Sequence, residues 1–172
     1  MKKFCTLCIS LLLIVSYFSF PVSAHTMCDN EEEVGVSIFY QEWGDDTPDF
    51  DNADTTESVV RSNAVHNLAD SNFSIYWTVG ASGVKTTNLV KTNTTKIYVG
   101  IDLNKDASVT VELLDGQGNS LAEKTFTYYM TDERTATVKF TNLTASKTYR
   151  VKITNNSQKQ IMVMGSVRDS AF

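Results

Sequence analysis

Beyond residue 57, apolar and polar residues alternate along most of the chain. In the runs 73–79 and 97–103 every second residue is apolar, and the residues between are mostly polar or tyrosine. Successive side chains of a β-strand point to opposite faces, so this period of two predicts strands that bury one face. The run 161–167 is apolar on both faces and predicts a central or covered strand. The period of two predicts three more strands, in the runs 107–113, 136–141 and 149–153.

Residues that favour tight turns separate these runs. The run 115–119, Asp-Gly-Gln-Gly-Asn, predicts a hairpin, because glycine and asparagine tolerate the positive φ angles that such turns require. Runs 142–146 and 155–159 predict two more turns, and we expect little helix apart from a turn around 59–69. Strands spaced by about 8 to 12 residues predict an all-β domain, an antiparallel β-sandwich or jelly roll of about 8 strands.

The alternation also assigns side chains to the two faces of the sheet. Tyr76 and Tyr98 point outward, and both rings share one polar face if the runs 73–79 and 97–103 are neighbours, as consecutive strands often are. Outward aromatic rings can stack on sugars or pack on a protein, so Tyr76 and Tyr98 are the candidate ligand-binding residues. Single exposed tyrosines are also common in plain antiparallel sheets. The side chains expected to point into the core include Trp77, Val99, Val111, Val138, Val151 and Ile153.

The first 24 residues have the pattern of a secretory signal peptide. Lys2 and Lys3 form a basic start, an apolar stretch runs to Phe20, and small residues end at Ala24. Because the apolar stretch is short for a membrane span of about 20 residues, we expect cleavage after Ala24 rather than a retained anchor. The sequence therefore predicts a protein secreted to the cell envelope or beyond it, with no membrane span after cleavage. Its composition is typical of a bacterial source.

Charge marks a second boundary. The chain has 20 acidic and 15 basic residues, but the stretch from Asp29 to Glu57 contains eleven acidic residues and no basic one. We therefore expect a signal peptide at 1–24, an acidic and partly flexible segment at 25–57, and a β-sandwich domain at 58–172. The acidic segment is either a solvated tail or a surface that docks on a cationic partner or on the sandwich. The acidic balance argues against nucleic acid as a partner, because phosphates require a basic surface.

Oxygen donors are the candidate metal ligands. The segment 45–54 offers five carboxylates that suit calcium, although a flexible acidic loop is the alternative; they are Asp45, Asp46, Asp49, Asp51 and Asp54. Asp102, Asn104 and Asp106 form a second candidate, with an ordinary turn as its alternative. After cleavage, one cysteine and two histidines are too few for a zinc cluster. That cysteine, Cys28, is either a free thiol or part of an intermolecular disulfide.

The stretch 97–157 resembles secreted bacterial β-sandwich modules such as the pre-peptidase C-terminal domains. The resemblance is carried by the strand VTVELLD, the hairpin DGQGN and the strand TYRVKI. Leu143 followed by Tyr149 also looks like the tyrosine corner of immunoglobulin-like sandwiches, in which a hydroxyl bonds to the backbone. The resemblance implies a sandwich fold and an accessory, glycan-binding or adhesive role.

Catalytic chemistry finds little support in the residues. His66 is the main imidazole after cleavage, and no Gly-x-Ser-x-Gly motif is present. A carboxylate pair for glycoside hydrolysis is defined by its spacing in the folded state, so the sequence alone does not identify one. We therefore expect a non-enzymatic protein. The first function class is a secreted binding or adhesion module for a glycan or an extracellular protein. The alternatives are a secreted effector, such as a toxin or immunity-type factor, and a hydrolase.

Overall fold

The computed structural model describes residues 33–43 and 64–170, and these residues fold as an all-β sandwich. The described strands are β1 (Gly35–Glu42), β2 (His66–Asn67), β3 (Phe73–Val79), β4 (Val84–Thr86), β5 (Val90–Lys91), β6 (Ile97–Leu103), β7 (Ala107–Asp115), β8 (Ser120–Tyr128), β9 (Arg134–Thr141), β10 (Thr148–Asn155) and β11 (Ile161–Arg168). A short 3-10 helix, Met130–Asp132, connects β8 to β9. The described residues contain no helix of the length and hydrophobicity that crossing a membrane requires.

Two sheets form the sandwich. In the first sheet the strand order is β1-β9-β6-β11-β3, and all its pairs are antiparallel. In the second sheet the order is β2-β5-β10-β7-β8, and β4 also pairs with β10. The predicted β-sandwich is therefore confirmed. The described strands outnumber the predicted 8 or so, partly because β2, β4 and β5 span only two or three residues each.

The core lies between the sheets and is built by the alternating apolar residues. Five of the six side chains expected to point inward are fully buried, and Trp77 is partly buried because β3 is an edge strand of the first sheet. The prediction for the run 161–167 also holds, since β11 lies between β6 and β3. The fully buried five are Val99, Val111, Val138, Val151 and Ile153.

Two segments differ from the sequence expectation. Residues 35–42 belong to the acidic segment by composition, but they form β1, which pairs along its whole length with β9. Residues 59–63 of the turn expected around 59–69 lie outside the described residues, and the described part of this stretch forms the short strand β2 and a turn over 68–70. The signal peptide, its cleavage after Ala24, and Cys28 lie outside the described residues, so they stay predictions.

Side chains close the predicted turns. In the hairpin between β7 and β8, the carboxylate of Asp115 accepts hydrogen bonds from the backbone of Gln117 at 2.9 Å and Asn119 at 2.8 Å. Gly118 has φ of 98°, a value that favours glycine. Before β10, the hydroxyl of Tyr149 donates to the Thr144 carbonyl at 3.1 Å and accepts from the Thr144 amide at 3.0 Å. The turns thereby fix the register of the strands that they join.

Candidate functional site

The two candidate tyrosines lie on one face of the first sheet, called here the outer face because the opposite face packs on the second sheet. Tyr76 is in β3 and Tyr98 in β6, but β11 lies between these strands. The expectation that the runs 73–79 and 97–103 are neighbours is therefore wrong. The late strand β11 pairs with both, because its two apolar faces suit a central position.

Tyr98 is also less accessible than the alternation predicts. Its side chain is only 7% exposed. The ammonium of Lys139 lies 5.8 Å from the ring centroid, and Arg168 is the cross-strand neighbour on the other side. Tyr76 is half-buried, and its hydroxyl has no hydrogen-bond partner among the described residues. The outer face therefore does not present two adjacent exposed rings, and a ligand-binding role for Tyr76 and Tyr98 stays a prediction.

Asp102 is a buried carboxylate on the same outer face. Its Oδ1 accepts a hydrogen bond from the indole Nε1 of Trp43 at 2.9 Å, and Thr135 also donates to it. Met164 is its cross-strand neighbour on β11. Burial raises the pKa of Asp102, and the hydrogen bonds from Trp43 and Thr135 offset only part of this increase. The carboxylate holds the end of β1 against the sheet through the indole.

Replacing Asp102 with asparagine should remove part of the pH dependence of stability. An amide oxygen still accepts the indole hydrogen bond but carries no charge. Because the folded-state pKa of Asp102 is raised, its contribution to stability is present below the unfolded value of about 3.9 and is lost as the pH rises through the folded value. Urea unfolding of both proteins at about pH 3.5 and about pH 7 measures this effect. The free energy of unfolding of the variant, relative to that of the parent, should be higher at about pH 7 than at about pH 3.5. An equal difference at both pH values would contradict the raised pKa.

The candidate metal ligands do not form a described site. Asp45, Asp46, Asp49, Asp51 and Asp54 lie outside the described residues, so calcium binding there stays a prediction. In the second candidate, Asp102 binds Trp43, the side-chain oxygen of Asn104 accepts from the Met162 amide at 2.9 Å, and Asp106 accepts from the Met130 amide at 2.9 Å. Each oxygen thus binds a different donor, as in an ordinary turn. Among the described residues no group of three or more His, Cys, Asp and Glu side chains is arranged to hold a metal ion.

His66 has a structural role in its turn. Its Nε2 lies 2.8 Å from the Ser71 carbonyl oxygen, so this nitrogen carries a proton and donates it. The Ser71 hydroxyl is 3.4 Å from the same nitrogen. Because this nitrogen donates its proton to the carbonyl, it cannot accept a proton from the Ser71 hydroxyl in this geometry. The ring also packs edge to face on Phe73, with centroids 5.5 Å apart. These contacts join the turn after β2 to the start of β3.

An exposed apolar tip lies at the connection between β8 and β9. Tyr129 and Met130 form this tip, and their side chains are 52% and 40% exposed. The alternation of β8 sends Tyr128 into the core and therefore Tyr129 outward. The backbone of the tip is held, because Asp106 caps the Met130 amide and Glu133 adopts a left-handed conformation with φ of 50°. Two large apolar side chains are thus presented to solvent by a fixed turn.

Charged groups surround the Tyr129–Met130 tip. Asp106, Asp132 and Glu133 are all exposed. Arg134 forms an ion pair with Asp132 at 2.6 Å, and its guanidinium lies 4.9 Å from the centroid of the Tyr40 ring. Lys105, next to Asp106, is also exposed, so the three carboxylates outnumber two cationic groups and the surroundings of the tip are weakly acidic. Sequence reasoning missed this site, although the alternation through Phe126 and Tyr128 predicts that Tyr129 points outward.

No protein-family model matches the chain, and no curated protein matches it with significant similarity.

Proposed function

We propose that this protein is a secreted, non-catalytic binding module that takes an extracellular protein as its ligand. The observation that carries the proposal is the Tyr129–Met130 tip. Tyrosine and methionine are enriched at protein interfaces, where they supply large contact areas. A preformed turn lowers the entropy lost on binding, because the backbone of the tip is already ordered. Export is supported by the signal-peptide pattern that ends at Ala24.

The acidic surroundings favour a ligand that carries lysine or arginine next to an apolar residue. Asp106, Asp132 and Glu133 attract such a ligand at long range, and the tip buries its apolar residue on contact. The three carboxylates outnumber Lys105 and the ion-paired Arg134, and they disfavour an anionic ligand because binding would bring like charges together out of water. The proposal therefore names a cationic segment of an extracellular protein as the ligand.

A peptide array tests this function. The full chain is applied to synthetic peptides that combine lysine or arginine with apolar residues, to versions in which glutamate replaces the cationic residues, and to a glycan array. We expect retention on cationic peptides and a decrease as salt rises, because salt screens the attraction. Replacing both Tyr129 and Met130 with serine should weaken binding about tenfold or more, as expected for central interface residues.

A matched control is Val84→Ser, which changes an exposed apolar residue on β4 in the second sheet. This variant should bind like the parent chain. Retention on glycans alone would contradict a protein ligand. Equal binding by the double variant and the parent would show that the tip is not the contact, and retention on neither array would overturn the proposed function.

A further inference from the structure

Among the described residues, the edge strand β1 pairs its backbone on one side only. Its ladder partner is β9, and it ends the strand order of the first sheet, where it also lies near β8, the edge strand of the second sheet. The amide of Trp43 donates to the carbonyl of Glu133 at 3.0 Å, one step beyond the last ladder pair, Glu42 and Arg134, so the backbone of Trp43 points toward β9. In an antiparallel ladder bonded pairs recur at every second residue. The backbone groups that point away from β9 therefore belong to Val36, Ile38, Tyr40 and Glu42.

This edge lacks the features that usually prevent strands from pairing between molecules. Edge strands are commonly protected by lysine, proline or a bulge. β1 has the sequence GVSIFYQE, with no lysine or proline and an unbroken register opposite β9. In β8, the long edge strand of the second sheet, Lys124 lies opposite the core residue Val111 and so faces inward at the edge. The remaining long edge strand, β3, is mostly buried or half-buried.

The side chains of β1 expose apolar surface on both faces of this edge. Phe39 is 38% exposed on the outer face, and Tyr40 is 42% exposed on the face toward the second sheet. The strand has one charged side chain, Glu42, at its end. An edge of this kind favours an uncharged extended partner, because an added strand satisfies the free backbone groups and covers both rings.

We propose that two copies of this chain pair through antiparallel β1 strands and extend the first sheet across both molecules. A two-fold register centred on Phe39 places the two Phe39 rings opposite each other and Ile38 opposite Tyr40 of the second copy. The free backbone groups of both strands then face each other, and the opposed rings form an aromatic cross-strand pair. This pairing does not depend on the proposed protein ligand.

The charges on β1 itself permit a second copy as the occupant of this edge. In the antiparallel register the Glu42 residues lie at opposite ends of the paired strands, each opposite an uncharged Val36. No like charges are therefore opposed within the ladder. The whole chains repel each other, since each carries a net charge of −5, so the dimer should strengthen as salt screens this repulsion.

Sedimentation combined with amide hydrogen exchange tests this pairing on the full chain. The mass should change from monomer to dimer as protein concentration rises, and more readily at high salt. In the same samples, the amides of Val36, Ile38 and Tyr40 should become protected as the dimer forms. The amides of Ser37 and Phe39 should be protected at every concentration, because they bond to β9. A chain that remains monomeric, or a dimer in which the first three amides still exchange rapidly, would overturn the proposal.

A charge substitution gives a second test. Phe39→Lys should raise the dissociation constant of the dimer at least tenfold, because two ammonium groups would be opposed at the centre of the ladder. Val84→Lys adds the same charge at an exposed apolar position of the second sheet and should leave the constant unchanged. If both variants dimerise like the parent, the pairing is not through β1. The exchange measurement on the parent chain decides the question even if Phe39→Lys does not fold.

Discussion

Substitution of Gly165 by alanine should lower the free energy of unfolding by about 3 kcal/mol or more. Gly165 lies in β11, where the strand passes close to β6. A β-carbon there would overlap the carbonyl oxygen of Gly100 and lie 2.9 Å from its carbonyl carbon and 3.3 Å from the Cα of Ile101. All three atoms belong to the backbone of a paired strand, so no side-chain rotation relieves the overlap. The strands must separate, and their hydrogen bonds and core contacts weaken together.

Gly80→Ala is the matched control for this substitution. A β-carbon at Gly80 would meet no atom within 4 Å, so the change should stay within about 0.5 kcal/mol of the parent. Urea unfolding followed by circular dichroism measures both variants under the same conditions. Equal stabilities of the two variants would show that β6 and β11 are further apart than the structure has them.

Replacing Asn155 with alanine should cost about 2–4 kcal/mol, because it removes several hydrogen bonds to backbone groups and leaves a space at a fully buried position. Asn155 is fully buried at the end of β10. Its side-chain nitrogen donates to the carbonyls of Gly80 at 2.9 Å and Lys159 at 2.7 Å, and its side-chain oxygen accepts from the Ser157 amide at 2.9 Å. One side chain thus joins the turn before β11 to the end of β3.

The neighbouring Asn156 provides the control. It is exposed, and its side chain donates one hydrogen bond, to the Thr110 hydroxyl at 2.9 Å. Asn156→Ala should therefore cost less than about 1 kcal/mol in the same thermal or urea unfolding experiment. If Asn155→Ala is no more damaging than Asn156→Ala, then the buried hydrogen bonds of Asn155 contribute little to stability.

The sequence predicts the long strands because each buries one face, and a period of two records this directly. It does not predict β1 as part of the sandwich, because the surrounding acidic residues dominate the composition of that segment. The short strands β2 and β5 have too few residues to show any period. The local pattern also does not predict the order of the strands in the sheet, because β11, which is far from β3 and β6 in the sequence, lies between them.

The candidate sites also combine features that local alternation predicts with features that depend on distant residues. Alternation correctly gives Tyr76 and Tyr98 one face, but it does not show that Tyr98 is buried, with Lys139 of a distant strand beside its ring. The Tyr129–Met130 tip depends on a turn whose capping group, Asp106, comes from the loop before β7. Contacts between residues far apart in the chain therefore decide which aromatic side chains remain exposed.

The pairing of β1 with β9 has a consequence for the order of events during synthesis. Gly35 and its partner Thr141 are 106 residues apart. At a synthesis rate of about 5–20 residues per second, β1 waits roughly 5 to 20 s before its partner strand exists. Throughout this interval both edges of β1 are open, so neighbouring nascent chains can pair through it before the sandwich closes. Slower elongation between residues 42 and 134 should therefore increase aggregation of newly made chains, whereas Phe39→Lys should reduce it.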